Sequence, residues 1–275
     1  MSPRPKLFFD TSLCIDIARE RASGRETGSL RSICSRCRYF ISPLTVYELV
    51  AGLASGTDAH FKQNREAIKA VYPVGHKRFL PSLRVLLPKQ LFGERAKVAH
   101  SFDLDFDLWV RAVLKARNRQ ELESGRMKVG LKGRKGFGLI LDEIDKQMRY
   151  IEDGFAGLLT SFRKTGAPSL TPEIWAKLIL DSMGKQSSSE SISLVLERLN
   201  AAYHLDARLW EFIEGSNYNF AKHRSELVDA NQLSYLCDPE MYMATSDLRL
   251  KKAVAGSTQS ARVLNYNELK EIVPT

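Results

Sequence analysis

Four short apolar segments carry strand character in this chain of 275 residues, and all four lie near its ends. Lys6–Phe9 and residues 39–41 stand at the start; Met241–Ala244 and residues 262–264 stand at the finish. Their apolar residues are consecutive rather than alternating, the pattern of strands covered on both faces. Each is followed by helical sequence. Leu13 to Arg21 follows the first, and after the second Val46, Leu49, Val50 and Leu53 fall at i, i+3, i+4 and i+7. Residues 248–254 and 268–272 follow the last two. Further helices are expected at 29–36 and 226–237. Strand and helix in alternation predict a parallel sheet flanked by helices. From about residue 58 to residue 222 strand signals vanish. Helical patterns dominate there, at 60–71, 107–121, 139–162, 172–183 and 191–214. The expected architecture is therefore an α/β domain made of residues 1–57 and 223–275, interrupted by a large, mostly helical insertion at 58–222.

That sheet gives four acids a shared location. Ligands of open α/β sheets bind outside the carboxyl ends of the strands. Asp10 ends the first strand, and Glu48 sits one turn into the helix after the second. Asp247 follows Met241–Ala244 through Thr245 and Ser246, and Asp229 lies early in the helix before that strand. Four carboxylates without His or Cys form a hard oxygen donor set, which favours Mg²⁺ or Mn²⁺ over zinc. Clustered carboxylates repel one another unless a cation neutralises them. One or two such ions can activate water and orient a phosphodiester. Each acid also has a local explanation. Asp10 and Asp247 suit helix N-caps, Thr45-x-x-Glu48 reads as a capping box, and Asp229 suits a solvated helix face. Capping and catalysis can coexist at a helix N-terminus.

The motifs around these acids resemble the PIN-domain ribonuclease family. KLFFDTSLCIDI resembles the family's opening strand, Asp-Thr and helix; ISPLTVYELVAGL resembles its second motif, with Glu48 as the acid. DANQLSYLCDPEMYMATSDLRL resembles the third and fourth motifs, and ARVLNYNEL the closing strand and helix. The spacings, 48 − 10 = 38 and 247 − 229 = 18, are similar to those of compact bacterial toxin-type PIN nucleases. The gap of 229 − 48 = 181 is far longer and departs from them. The resemblance covers residues 5–57 and 223–273. It implies a PIN-like (Rossmann-like) central parallel sheet in which Asp10, Glu48, Asp229 and Asp247 are the catalytic, metal-binding carboxylates for Mg²⁺ or Mn²⁺. It implies supporting roles for Thr11, Thr245 and Ser246, and endonucleolytic hydrolysis of RNA. By the same analogy the chain is the toxin of a toxin–antitoxin or defence-like system, with an inhibitor or antitoxin protein as partner. A catalytically inactive RNA-binding or assembly scaffold and a structure-specific DNA nuclease stay open as alternatives.

Charge bears on the partner. The chain carries a net charge of +9 and a pI near 9.4, which suits a polyanion whose counterions are released on binding. The segment 115–135 concentrates this charge in Lys115, Arg117, Arg119, Arg126, Lys128, Lys132, Arg134 and Lys135, interleaved with glycines. It is the expected nucleic-acid contact, against the alternative of a solvated loop. Cys14, Cys34, Cys37 and Cys237 are too few for a disulfide framework. Cys34 and Cys37 form one CxxC without the second pair that zinc needs, so core positions are expected. No scattered histidine falls in HExxH spacing, and no GxGxxG or Walker sequence occurs. No run of about 18 apolar residues is present to span a membrane. The expected setting is cytoplasmic, with self-association left open.

Overall fold

A computed structural model describes residues 4–24, 29–55, 57–72, 78–81, 83–94, 110–111, 113–123, 170–215 and 224–272. Four strands, β1 (Lys6–Phe9), β2 (Arg38–Phe40), β3 (Met241–Ala244) and β4 (Val263–Leu264), form one sheet in the order β2-β1-β3-β4. All pairings are parallel: Leu7 lies beside Tyr39 and Tyr242, and Met243 beside Phe8 and Val263. The sequence-based expectation of a parallel sheet built from both ends of the chain is met. Beyond β2, Ile41 bridges to Phe79, with Ile41 N–H donating to the Arg78 carbonyl (2.7 Å).

The strands bury both faces, which is why their apolar residues run without alternation. Leu7 and Phe9 point to one side and Phe8 to the other. On the Leu7–Phe9 side pack α1 (Thr11–Ala22), α3 (Pro43–Ser55) and α4 (Asp58–Val71), with Leu13, Ile17, Leu49, Val50, Leu53 and Ile68 nearly or wholly buried. Between α1 and β2 runs α2 (Ser29–Arg36), which sends Ile33 into this layer. Val110, Val113 and Ala116 close it, and the Arg65 guanidinium donates to the Leu114 carbonyl (3.0 Å). The short α6 (Arg119–Glu123) follows them.

On the Phe8 side lie α5 (Leu83–Phe92), α7 (Pro172–Ser182), α8 (Ser189–Arg198), α9 (Asn200–Gly215) and α10 (Arg224–Leu233). They bury Leu86, Trp175, Leu180, Leu205 and Trp210 against Phe8, Met241 and Met243. Helices drawn from residues 58–222 thus cover both faces of the sheet. The chain ends in α11 (Leu248–Ala253), β4 and α12 (Tyr266–Ile272).

Three sequence-based helices divide or shift, and a fourth, 139–162, lies outside the described residues. The stretch 107–121 is interrupted at 116–118, before α6. The stretch 191–214 is two helices, broken at Leu199 (φ −118°, ψ 23°). A polar staple from the far end of the chain holds the break. The buried Gln259 accepts from Ala201 N–H (2.7 Å) and donates to the Arg198 carbonyl, while Asn200 accepts from Thr258 N–H (2.9 Å). The 226–237 helix tightens after Leu233 into a 3₁₀ turn, Ser234–Cys237, just before β3. Cys14, Cys37 and Cys237 are buried and unpaired, and burial pushes the Cys37 thiol up to about 11. Among the described residues, no helix is long and apolar enough to cross a membrane.

Candidate active site

The strand order fixes where a site can form. From β1 the chain crosses to β2 on one side, and from β3 it crosses to β4 on the other. Their carboxyl ends therefore flank a topological switch point, the crevice in which open α/β sheets bind ligands. Asp10 emerges there from β1, its N–H still bonded to the Ala244 carbonyl at the end of β3 (3.0 Å). Thr245, Ser246 and Asp247 emerge beside it from β3.

Asp10 is buried and hydrogen-bonded at both carboxylate oxygens. As N-cap of α1, its Oδ1 accepts from Leu13 N–H (2.9 Å). Thr245 Oγ1 donates to Oδ2 (2.6 Å), and the Ser12 hydroxyl lies 3.0 and 2.9 Å from the two oxygens. Ser12 Oγ in turn accepts from Ser246 N–H (3.0 Å), and Thr245 Oγ1 accepts from Asp247 N–H (2.9 Å). The loops after β1 and β3 are thereby tied through one carboxylate. Burial raises Asp10 to about 6, against the lowering effect of its bonds from Thr245, Leu13 and Ser12.

Glu48 comes from α3, which follows β2. The sequence reads Thr45 and Glu48 as a capping box, but both side chains turn elsewhere. The Thr45 hydroxyl donates to the Phe9 carbonyl (2.8 Å), pinning α3 to the end of β1. Glu48 Oε2 instead accepts from the Thr11 hydroxyl and from Gln232 Nε2 (3.2 Å). Among the described residues, both donors fall on one oxygen of the carboxylate. Burial raises Glu48 to about 7, with the neighbouring Asp10 charge adding to the rise and the Thr11 bond opposing it.

Asp229 lies on α10, and burial raises it to about 9, helped in order by the charges of Glu48, Asp10, Asp247 and Glu226. The four acids singled out in the sequence are therefore electrostatic neighbours. Asp247 sits at the rim. It caps α11, accepting at Oδ1 from Arg249 N–H (2.7 Å) and Leu250 N–H (3.2 Å), and Arg249 Nη2 lies 3.4 Å from Oδ2.

An all-oxygen donor set whose members repel one another fits a hard divalent cation. No three His, Cys, Asp or Glu side chains among the described residues are gathered tightly enough to hold an ion directly. An ion held here would have to keep part of its water shell, as Mg²⁺ does. Asp10, Glu48 and Asp229 would hold it, with Asp247 contributing from the rim.

The supporting residues take different parts. Thr11 and Thr245 act through their hydroxyls, and Ser246 through its backbone N–H. Ser12 and Gln232 are site residues that sequence reasoning missed. The Asp-Thr-Ser run signals a cap without saying which hydroxyl meets which carboxylate. Gln232 could have been found only from its i+3 spacing after Asp229. Of the basic segment, Lys115 and Arg117 are exposed and Arg119 partly so. Asn118 caps the turn here, accepting from Glu121 N–H (2.8 Å), while the Glu121 carboxylate accepts from Arg117 N–H (2.7 Å). Arg126, Lys128, Lys132, Arg134 and Lys135 lie outside the described residues.

Comparison with protein-family models, with curated proteins and with solved structures finds no match.

Proposed function

We propose that this protein is a Mg²⁺- or Mn²⁺-dependent endoribonuclease of PIN-like type, with Asp10, Glu48, Asp229 and Asp247 as its metal-binding carboxylates. The observation that carries the reading is the convergence of these acids at the switch point of a parallel sheet, where burial and mutual charge raise Asp10, Glu48 and Asp229 together. Structural capping alone explains Asp10 and Asp247; it explains neither Glu48 nor Asp229, whose repulsion is a liability unless a cation offsets it.

When bound, a divalent cation supplies a Lewis acid and lowers the pKa of a water in its shell. The chain's own residues supply the geometry. Thr245, Ser12 and Leu13 N–H fix Asp10, and Thr11 and Gln232 fix the Glu48 carboxylate by one oxygen. The reaction is hydrolysis: water adds at phosphorus, the 3′ oxygen leaves, and no covalent bond to the protein forms. The net charge of +9, with Lys115, Arg117 and Arg119 in the basic segment, supports a polyanionic substrate. The toxin-like setting with a protein inhibitor belongs to the same proposal and rests on the motif resemblance.

The test is digestion of RNA and of single-stranded, duplex and flapped DNA side by side, in Mg²⁺, Mn²⁺ or EDTA. Metal-dependent cutting of RNA alone supports the reading. Preference for a DNA form moves the assignment to a DNA nuclease, and binding without cutting moves it to a scaffold.

A further inference from the structure

Among the described residues, one buried polar atom beside the acids is without a partner. Gln232 is completely buried, on the same helix as Asp229 and three residues after it, so both are presented on one face. Its Nε2 donates to Glu48 Oε2 (3.2 Å), but its Oε1 meets no hydrogen-bond donor among the described residues. The opposite amide orientation would set a carbonyl oxygen against the Glu48 carboxylate. Buried amide oxygens in folded proteins are nearly always paired, and leaving one bare is destabilising. An apolar side chain of similar volume, such as Met, would fill the position without that penalty. Something other than packing is needed to explain an amide here.

We propose that Gln232 is a positioning residue of the acid cluster: its N–H holds Glu48, and its bare carbonyl oxygen accepts a hydrogen bond from the water shell of a bound divalent cation. The inference rests on the reading of the acids as a cation site. It adds to that reading the residue that orients a ligand and its water together. Neutral oxygen suits the task. A fifth carboxylate would deepen the repulsion among Glu48, Asp229 and Asp10, whereas an amide accepts from water without adding charge. Waters on a small divalent cation are strong donors, and Mg²⁺ sites commonly keep several of them. Outer-shell partners of this kind orient first-shell ligands and tune metal affinity.

The experiment uses Mn²⁺ alone as probe, with the full chain and no nucleic acid. Isothermal titration gives the Mn²⁺ affinity of wild type, Gln232→Met and Gln232→Glu, and thermal unfolding in EDTA gives their metal-free stability. The two readouts are expected to move in opposite directions. Gln232→Met is as stable as wild type or more so in EDTA, yet binds Mn²⁺ about tenfold more weakly. Gln232→Glu is less stable in EDTA, because it adds a charge beside Glu48, yet retains wild-type affinity or better. Unchanged Mn²⁺ affinity in Gln232→Met, with wild type binding normally, overturns the role of Gln232 and leaves the cation site standing. Failure of Gln232→Met to fold also overturns it, since the amide would then be a structural requirement. Absence of saturable Mn²⁺ binding by wild type overturns the cation site and this inference with it.

Discussion

Replacing Asp229 with Asn is expected to stabilise the metal-free protein while destroying its response to cations. Asp229 is raised from an ordinary 3.8 to about 9, first by burial and then by Glu48, Asp10, Asp247 and Glu226. The sign follows from linkage. A carboxylate whose folded-state pKa is raised costs nothing below its unfolded pKa and destabilises increasingly as pH climbs towards the folded value. At pH 7 the folded protein keeps Asp229 protonated while the unfolded chain ionises it. The cost then spans about 3 pH units, at most about 4 kcal/mol. Relaxation and water entry around a partly buried group lower this, to about 1–2 kcal/mol. For a chain of this size that is a rise in Tm of roughly 2–8 °C in the Asn variant. The assay is thermal unfolding in EDTA across pH 4 to 8. The advantage of Asp229→Asn should be largest at pH 8 and fade towards pH 4. Saturating Mn²⁺ should raise the Tm of wild type and leave the variant where it is. A variant less stable than wild type at pH 8 in EDTA would refute the reasoning, because Asp229 would then be a structural partner rather than a strained charge.

Three other outcomes follow from the same geometry. Thr245→Val strips Asp10 of its shortest donor and Asp247 N–H of its acceptor, so a loss of about 2 kcal/mol in denaturant unfolding is expected, and wild-type stability would show that the two loops are tied otherwise. Asp206, which accepts from Trp175 Nε1 (2.8 Å) and is raised to about 6 by burial, destabilises the fold increasingly as pH rises from about 4 to about 6, and the cost is constant above that. Asp206→Asn keeps an acceptor for Trp175 and should unfold at higher temperature than wild type at pH 8 but not at pH 4; equal shifts at both would remove charge as the cause. Metal-free wild type should lose stability as pH rises from about 4 to 9, most steeply between about 4 and 6 where Asp10, Glu48 and Asp229 all resist ionising and above about 7 through Asp229 alone, and saturating Mg²⁺ should flatten that slope. Parallel slopes with and without Mg²⁺ would separate the acids from any cation.

The strands were legible because consecutive apolar residues, as in Lys6–Phe9 and Met241–Ala244, have few other places to go than the middle of a covered sheet. Asp10 and Asp247 were legible for a related reason: a short polar residue between strand and helix is both a cap and the natural occupant of the sheet's carboxyl edge. What was hidden depended on contacts distant in sequence. Thr45 reads locally as a cap partner of Glu48, yet its hydroxyl reaches Phe9, 36 residues away. The break at Leu199 carries no Gly or Pro, and Gln259 and Thr258 impose it from the far end of the chain. The helix Leu83–Phe92 escaped notice because Pro88 sits inside it, where sequence rules expect a helix to stop. Gln232 is the clearest case. A glutamine within a helix carries no signal until Glu48, 184 residues away, is seen beside it.

The central claim is that Asp10 anchors a cation-dependent phosphodiesterase site. The most direct measurement is digestion of total cellular RNA by the purified protein, wild type beside Asp10→Asn, in Mg²⁺, Mn²⁺ or EDTA. Discrete fragments from wild type alone, and only with metal, are the predicted result. Equal cleavage by the two proteins, or cleavage that persists in EDTA, would contradict it.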